Sequence, residues 1–143
     1  MKQLTVNEVE YIAFRLAREL LSFNEPIPDF STRYPNVLES CLAAPFQGFT
    51  KKSFYPGLIK KASILFYLLI KNHPFQNGNK RIAMTTLFVF LYKNKKWLKV
   101  DTQELYNFTM WIAQSPPQFR EEATKTIEKF IGKYIVELKR EQI

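Results

Sequence analysis

The sequence predicts an all-α fold: one compact domain of about six helices over residues 1–143. Apolar residues recur at helical spacing near both ends of the chain. Two central segments, residues 62–70 and 82–92, are apolar almost all round, and helices of that kind lie in the centre of a domain. A chain of 143 residues can bury a substantial core but is too short for two domains.

The first helix has the clearest start signal. Thr5 and Glu8 stand at the spacing of a capping box, in which each residue's side chain bonds the other's backbone N–H. The apolar positions that follow at helical spacing are Val9, Ile12, Ala13, Leu16 and Leu20. This helix is expected to end near Phe23. Residues 24–35 contain three prolines and predict an irregular connection.

Five further helices are expected from similar signals. They should cover residues 36–43 with Asn36 as cap, residues 56–72 and residues 79–93. The fifth should begin at a second capping box, Asp101 with Glu104, and the sixth should run from the proline pair at 116 and 117 through Leu138. Residues 97–100 predict a short extended link between the fourth and fifth helices.

The segment between the second and third helices, residues 44–50, holds Pro, Gly and two Phe and is neither a clean helix nor a clean strand. It could form a flap or small hairpin with exposed aromatic rings. Alternatively, Phe46 and Phe49 could pin a loop onto the core. The candidate flap residues are Pro45, Phe46, Gln47, Gly48 and Phe49.

The net charge of +8, from 21 basic and 13 acidic residues, suits an acidic partner: nucleic acid, a phosphate-bearing ligand or an acidic protein. The lysines are scattered, and pairs such as Lys60 and Lys61 are expected to belong mostly to a solvated surface, so nucleic-acid binding is not favoured. No apolar stretch approaches the ~20 residues of a membrane span, and no signal peptide is evident. Cys41, the only cysteine, predicts a small buried residue, and a chain that cannot form an internal disulfide suits the cytoplasm.

The most informative segment is residues 73–81, His-Pro-Phe-Gln-Asn-Gly-Asn-Lys-Arg, which joins the two apolar helices. A tight turn between buried helices needs none of these polar side chains, which are costly to desolvate without a partner. A bound ligand could supply that partner. Residues 78–81 would form the first helical turn, whose unpaired N–H groups and dipole attract anions, and a polyphosphate suits this charge better than a carboxylate. The phosphate-binding candidates are Gly78, Asn79, Lys80 and Arg81.

Three other residues of the loop have expected roles. His73, the only histidine, can titrate near neutral pH and is the candidate base that takes a proton from an attacking hydroxyl. Asn77 offers a carbonyl oxygen to Mg²⁺, which takes few protein ligands in phosphoryl-transfer sites. Phe75 is expected to anchor the loop to the core. Each residue alone also has an ordinary structural explanation, so the residues by themselves leave the phosphate site as one alternative.

These nine residues resemble the signature of the Fic/Doc family. Fic proteins carry H-P-F-x-D/E-G-N-G-R-x-x-R, and the death-on-curing (Doc) branch carries H-x-F-x-D/N-A/G-N-K-R. All seven constrained positions of the Doc form are matched by this chain. The resemblance extends over residues 4–135 or so, because the order of helices and the flap segment upstream of the loop are also similar.

The resemblance implies a nucleotide-dependent protein transferase that uses ATP and Mg²⁺. It implies that His73 is the base, that Asn77 helps to hold the metal, and that residues 78–81 bind phosphates. It also implies that residues 45–49 align the target chain by strand-like pairing. Doc-like toxins are held inactive by a separate antitoxin protein, and the known target of Doc is the translation factor EF-Tu, an acidic protein.

Two departures from the Fic form indicate the subtype. Lys80 stands where Fic proteins have Gly, and Met84 stands where they have a second Arg. In the Doc branch that lysine is thought to reverse the bound nucleotide, so the resemblance favours transfer of the γ-phosphate over transfer of AMP. The chain also lacks the inhibitory S/T-x-x-x-E-G/N segment of many Fic proteins. The alternatives are AMP transfer by the same loop and a non-catalytic binding module.

Overall fold

The computed structural model describes residues 1–21 and 25–138. Within these residues it shows six helices and two small two-stranded sheets, so the predicted all-α class is confirmed. The helices are α1 (Val6–Glu8, Val9–Phe14 and Arg15–Leu20 in succession), α2 (Pro35–Ala43), α3 (Leu58–Lys71), α4 (Asn79–Lys93), α5 (Thr102–Gln114) and α6 (Arg120–Tyr134). The strands are β1 (Gly48–Phe49), β2 (Lys52–Ser53), β3 (Lys96–Leu98) and β4 (Ile135–Glu137).

The two apolar helices, α3 and α4, form the centre of the domain. Residues 61–70 of α3 are all buried, as is most of α4, and side chains from all six helices join one hydrophobic cluster with them. The C-terminal end of α3 is held by Lys71, whose ammonium donates to the carbonyls of Ala113 (3.2 Å) and Ser115 (2.5 Å) at the end of α5. A cation there complements the helix dipole. The start of residues 73–81, which we call the motif loop, is therefore held in place.

The first helix begins as predicted, but its apolar residues divide between two faces. Thr5 Oγ1 accepts from the N–H of Glu8 (3.1 Å), and the Glu8 carboxylate accepts from the N–H of Thr5 (2.9 Å). Among the predicted positions, Val9 and Ala13 are buried, whereas the exposed ones are Ile12, Leu16 and Leu20. The turn at Val9–Phe14 is π-helical and faces α4, from which the hydroxyl of Thr85 lies 2.8 Å from the carbonyl of Ala13. The predicted end near Phe23 lies outside the described residues.

The prediction for the last helix was wrong at its end. Instead of continuing through Leu138, α6 stops at Tyr134, and β4 pairs antiparallel with β3, with Trp97 opposite Val136. The extended segment at 96–98 needs partners for its backbone N–H and C=O groups, and β4 supplies them. In α5, Asp101 caps the helix by accepting from the N–H of Glu104 (3.2 Å). The reciprocal half of that capping box is replaced by a hydrogen bond from the hydroxyl of Tyr134 to the Glu104 carboxylate.

The segment between α2 and α3 folds as a hairpin of β1 and β2, with Gly48 opposite Ser53 and Phe49 opposite Lys52. Phe46, just before it, packs edge-on against Phe90 of α4 with ring centroids 6.2 Å apart. Phe49 is 76% exposed, so the interpretation in which both rings pin a loop to the core holds only for Phe46. We call residues 45–54 the flap.

Candidate active site

Residues 72–78 connect the two central helices and lie against α1 and the segment before α2. Phe75 is buried, and its ring centroid lies 5.6 Å from that of Phe14 and 5.8 Å from that of Phe30. The backbone N–H of Tyr34 donates to the carbonyl of Pro74 (2.8 Å). Tyr34 therefore lies beside the loop, a neighbour that no motif or spacing predicts.

The side chain of Asn79 closes the loop from within. Its Oδ1 accepts from the N–H of Phe75 (2.9 Å), and its Nδ2 donates to the carbonyl of the same residue (2.8 Å). Helix α4 begins at Asn79 with Gly78 as its N-cap, so the side chain of Asn79 fixes the loop rather than capping the helix. Since Phe75 is two residues from His73, these bonds place His73 at the same end of the domain as the first turn of α4.

The first turn of α4 has the features of an anion site. The N–H groups of Asn79 and Lys80 have no acceptor among the residues that the structure describes, whereas the N–H of Gly78 donates to Asn77 Oδ1 (2.8 Å). Lys80 is half-buried and adds a positive charge to the positive end of the helix dipole. These groups together favour a phosphate over a neutral ligand.

Gly78 is required at its position for two reasons. Its φ of 77° lies in the left-handed region, and a Cβ built on it would come within 2.8 Å of Cγ1 of Ile27. Ile27 is itself buried at 2% exposure. The segment around Ile27 therefore covers one side of the turn, and a phosphate would approach the N–H groups from another side.

Arg81 was expected to point its guanidinium at a phosphate, but in the structure that group bonds other parts of the protein. Its side chain is 8% exposed, and Nη1 donates to the carbonyls of Leu21 (3.1 Å) and Glu25 (2.7 Å). Its Nη2 lies 4.0 Å from the Glu25 carboxylate. A phosphate could gain Arg81 only by sharing it with these oxygens or by displacing them.

His73 follows the C-terminal end of α3 with a φ of 50°, an uncommon conformation for a residue with a side chain. Its imidazole is exposed and forms no hydrogen bond within residues 1–21 and 25–138. Beneath it, the buried thiol of Cys41 forms a hydrogen bond with Asn72, the residue before His73. Burial nevertheless raises the pKa of the Cys41 thiol to about 11, because desolvation outweighs that bond. Cys41 is therefore a neutral structural group under the loop, as its sequence context predicts.

The comparison with protein families shows the family of this chain. The model of the Fic/DOC family matches residues 3–91. The chain belongs to the Fic/DOC family. Neither the curated proteins nor the solved structures include a match to this chain. The matched region contains α1 through most of α4, and with them the flap and the whole motif loop.

Fic/DOC proteins are typically nucleotide-dependent transferases that modify proteins and generally use ATP and Mg²⁺. The residues of this chain fit those ligands. Asn77 is exposed, and its carbonyl oxygen accepts one hydrogen bond, which leaves a lone pair for a metal ion. In the described ranges no three His, Cys, Asp or Glu side chains form a metal-binding group, and no helix is long and apolar enough to cross a membrane.

Lys61, which lies next to the flap, is an exception to the prediction that most of the lysines are solvated. Lys61 is buried at 7% exposure, whereas its neighbour Lys60 is exposed and pairs with Glu128 (3.2 Å). One feature of the sequence did indicate this burial. Lys61 directly precedes the apolar run of α3, so a helix that includes both places Lys61 at the edge of the core. Its contacts with the flap could not be read from spacing.

Proposed function

We propose that this Fic/DOC protein is a Doc-like toxin that transfers the γ-phosphate of ATP to a hydroxyl group of a protein target. By resemblance, the target is a translation factor such as EF-Tu, and a separate antitoxin protein controls the activity. The observation that carries the Doc assignment is the pair of residues that differ from the Fic form, Lys80 and Met84.

Lys80 lies in the first turn of α4, where its own N–H and that of Asn79 have no acceptor in the described part of the chain. A lysine side chain occupies space there that a glycine would leave open to a nucleotide phosphate. Met84 is 1% exposed in the core, so the position of the second Fic arginine holds no phosphate-binding group. Both residues are consistent with a nucleotide that presents its γ-phosphate.

The reaction assigns a proton path to this chain's residues. The target hydroxyl oxygen attacks the γ-phosphorus, the bond from that phosphorus to the β–γ bridging oxygen breaks, and ADP leaves. His73 takes the hydroxyl proton, a contribution usually worth ~10²–10⁴ in rate. The N–H groups of Asn79 and Lys80 would stabilise charge on the phosphate oxygens. Mg²⁺ held in part by Asn77 would neutralise phosphate charge.

The deciding experiment is incubation of the protein with a cell lysate and ATP labelled at either the α or the γ position. We expect label in protein only from the γ position. Label only from the α position would mean that the same loop transfers AMP, as in Fic adenylyltransferases, and the kinase assignment would fail.

His73→Ala tests whether the loop is catalytic at all. Because His73 is exposed and forms no hydrogen bond with the described residues, this change should leave the far-ultraviolet circular dichroism and the Tm close to those of the parent protein. Labelling and growth arrest on expression should both be lost. Growth arrest that persists in a folded His73→Ala variant would instead support a non-catalytic binding module.

A further inference from the structure

The flap has little holding it in place from within. All four strand residues of β1 and β2 are exposed, and a two-stranded hairpin without a buried face is marginally stable. The connecting residues, Thr50 and Lys51, have φ values of 50° and 64°, which favour glycine or asparagine and are unfavourable for a β-branched residue. The flap therefore depends on contacts with the rest of the domain for a fixed position.

Those contacts converge on the ammonium group of Lys61. Its Nζ donates to Oγ of Ser53 (2.8 Å), at the end of β2, and to the carbonyl of Tyr55 (2.6 Å). It also lies 5.3 Å from the ring centroid of Phe46, at the start of the flap. Ser53 Oγ accepts from the N–H of Tyr55 as well (3.1 Å), so Lys61, Ser53 and Tyr55 form a closed set of hydrogen bonds, with the ring of Phe46 beside the charge.

The electrostatics of this arrangement are unusual for a buried lysine. In the described residues Lys61 has no ion pair, and its charge is satisfied by a hydroxyl, a carbonyl and an aromatic face. Hydrogen bonds to a charged group are stronger than neutral ones, and a cation–π contact gains strength when it is desolvated. The set joins both ends of the flap to the first turns of α3, whose far end leads to His73.

We propose that Lys61 is a positioning residue for the protein target: its ammonium fixes the position of the flap relative to α3, the helix that leads into the catalytic loop. This inference rests on the proposed function, in which the flap aligns the target chain by strand pairing. If the strands of the flap are already fixed, their free edge can pair with a target strand without first being ordered. Lys61 touches neither ATP nor the reacting hydroxyl in this assignment, so its effect should appear in target binding.

Lys61→Met tests the proposal, since it keeps most of the apolar stem and removes the charge. Lys60→Met is the matched control: the same change one residue away, at an exposed side chain paired with Glu128. Amide hydrogen exchange of residues 46–55 should become at least about tenfold faster in Lys61→Met, because the hydrogen bonds of the ammonium to Ser53 and Tyr55 are both lost. It should be unchanged in Lys60→Met and across residues 62–71. Unchanged exchange of the flap in Lys61→Met would overturn the proposal.

If Lys61→Met also loosens α3, Ser53→Ala decides at the amides of residues 46–52, because it removes an acceptor of the ammonium without altering the helix. The amide of Tyr55 is left out of this comparison, since it loses its own hydrogen bond to Ser53 Oγ. Faster exchange confined to the flap supports the proposal, and parental exchange refutes it. In the transfer assay with lysate protein and γ-labelled ATP, Lys61→Met should raise the KM for protein about tenfold and leave the KM for ATP and kcat within twofold. A fall in kcat alone would overturn the positioning role. The exchange measurement needs no substrate, so it remains informative even if the wild type transfers no phosphate.

Discussion

The contact between Gly78 and Ile27 allows a quantitative test of how the first turn of α4 is built. In Gly78→Ala the new Cβ would lie 2.8 Å from Cγ1 and 3.2 Å from Cδ1 of Ile27, closer than real Cβ atoms normally approach. Overpacking of this kind costs about 1–3 kcal/mol. The left-handed φ of 77° adds about 1–2 kcal/mol for a residue with a Cβ. We therefore expect a loss of about 3 kcal/mol and a fall in Tm of roughly 10 °C.

A double-mutant cycle with Ile27→Ala separates the clash from the backbone strain. Ile27→Ala alone should cost about 2–5 kcal/mol, because the side chain is buried. In the double variant the clash is absent, so the combined loss should be smaller than the sum by about 1–3 kcal/mol. Urea unfolding of the four proteins measures these free energies. Gly132→Ala in α6 is the control, since its Cβ would meet only Ile59 Cδ1 at 3.9 Å and should stabilise the helix by roughly 0.5–1 kcal/mol. Additivity within about 0.5 kcal/mol would show that Ile27 does not shape the turn.

Three further results are expected. In Gly48→Ala the Cβ would lie 2.2 Å from the carbonyl oxygen of Lys52, so the two strands of the flap must move apart. Hydrogen exchange of the backbone amides of residues 46–55 should therefore become faster, while Tm falls by less than about 3 °C. Flap amides that stay protected from exchange would refute this. The buried thiol of Cys41, with its pKa raised to about 11, should react with a thiol reagent at pH 8 at least about 100-fold more slowly than in urea, and equal rates would contradict its burial. Burial raises the pKa of Glu8, but hydrogen bonds, above all with Lys93, outweigh it and bring the pKa below 4.5. Its stabilising effect should thus be complete well above pH 4.5 and be lost as the pH falls through the lowered pKa. The difference in urea unfolding between wild type and Glu8→Gln should therefore shrink as the pH is lowered from 7 toward 3, and a difference that does not shrink would contradict it.

The sequence was most informative where one local rule controls a position. The capping box at Thr5 follows from two residues three positions apart. The burial of α3 and α4, and the loop between them, follow from the runs of apolar residues and the polar segment that separates them. The strand at Ile135–Glu137 could not be predicted, because its apolar residues continue the stripe of α6 and only the distant segment at Lys96–Leu98 makes the extended form favourable.

Within the site, the predicted residues lie in one loop and the helical turn that follows it, but sequence spacing could not show which partner each side chain takes. Asn79 bonds the backbone of Phe75, and Arg81 bonds carbonyls at Leu21 and Glu25, some sixty positions earlier. Both side chains look like ligand-binding groups when only their order is known. The partners of Arg81 depend on where α1 ends in space, and those of Asn79 depend on how the loop turns back on itself.

The two hydrogen bonds between Asn79 and Phe75 have a kinetic consequence. They give the loop its shape from the protein's own atoms, so under the proposed function a nucleotide would meet amides that are already held in place. Its association would then require no slow folding of the loop around the ligand, and little entropy would be lost in ordering the loop. A single amide side chain thus shapes this connecting segment between two helices before any ligand binds.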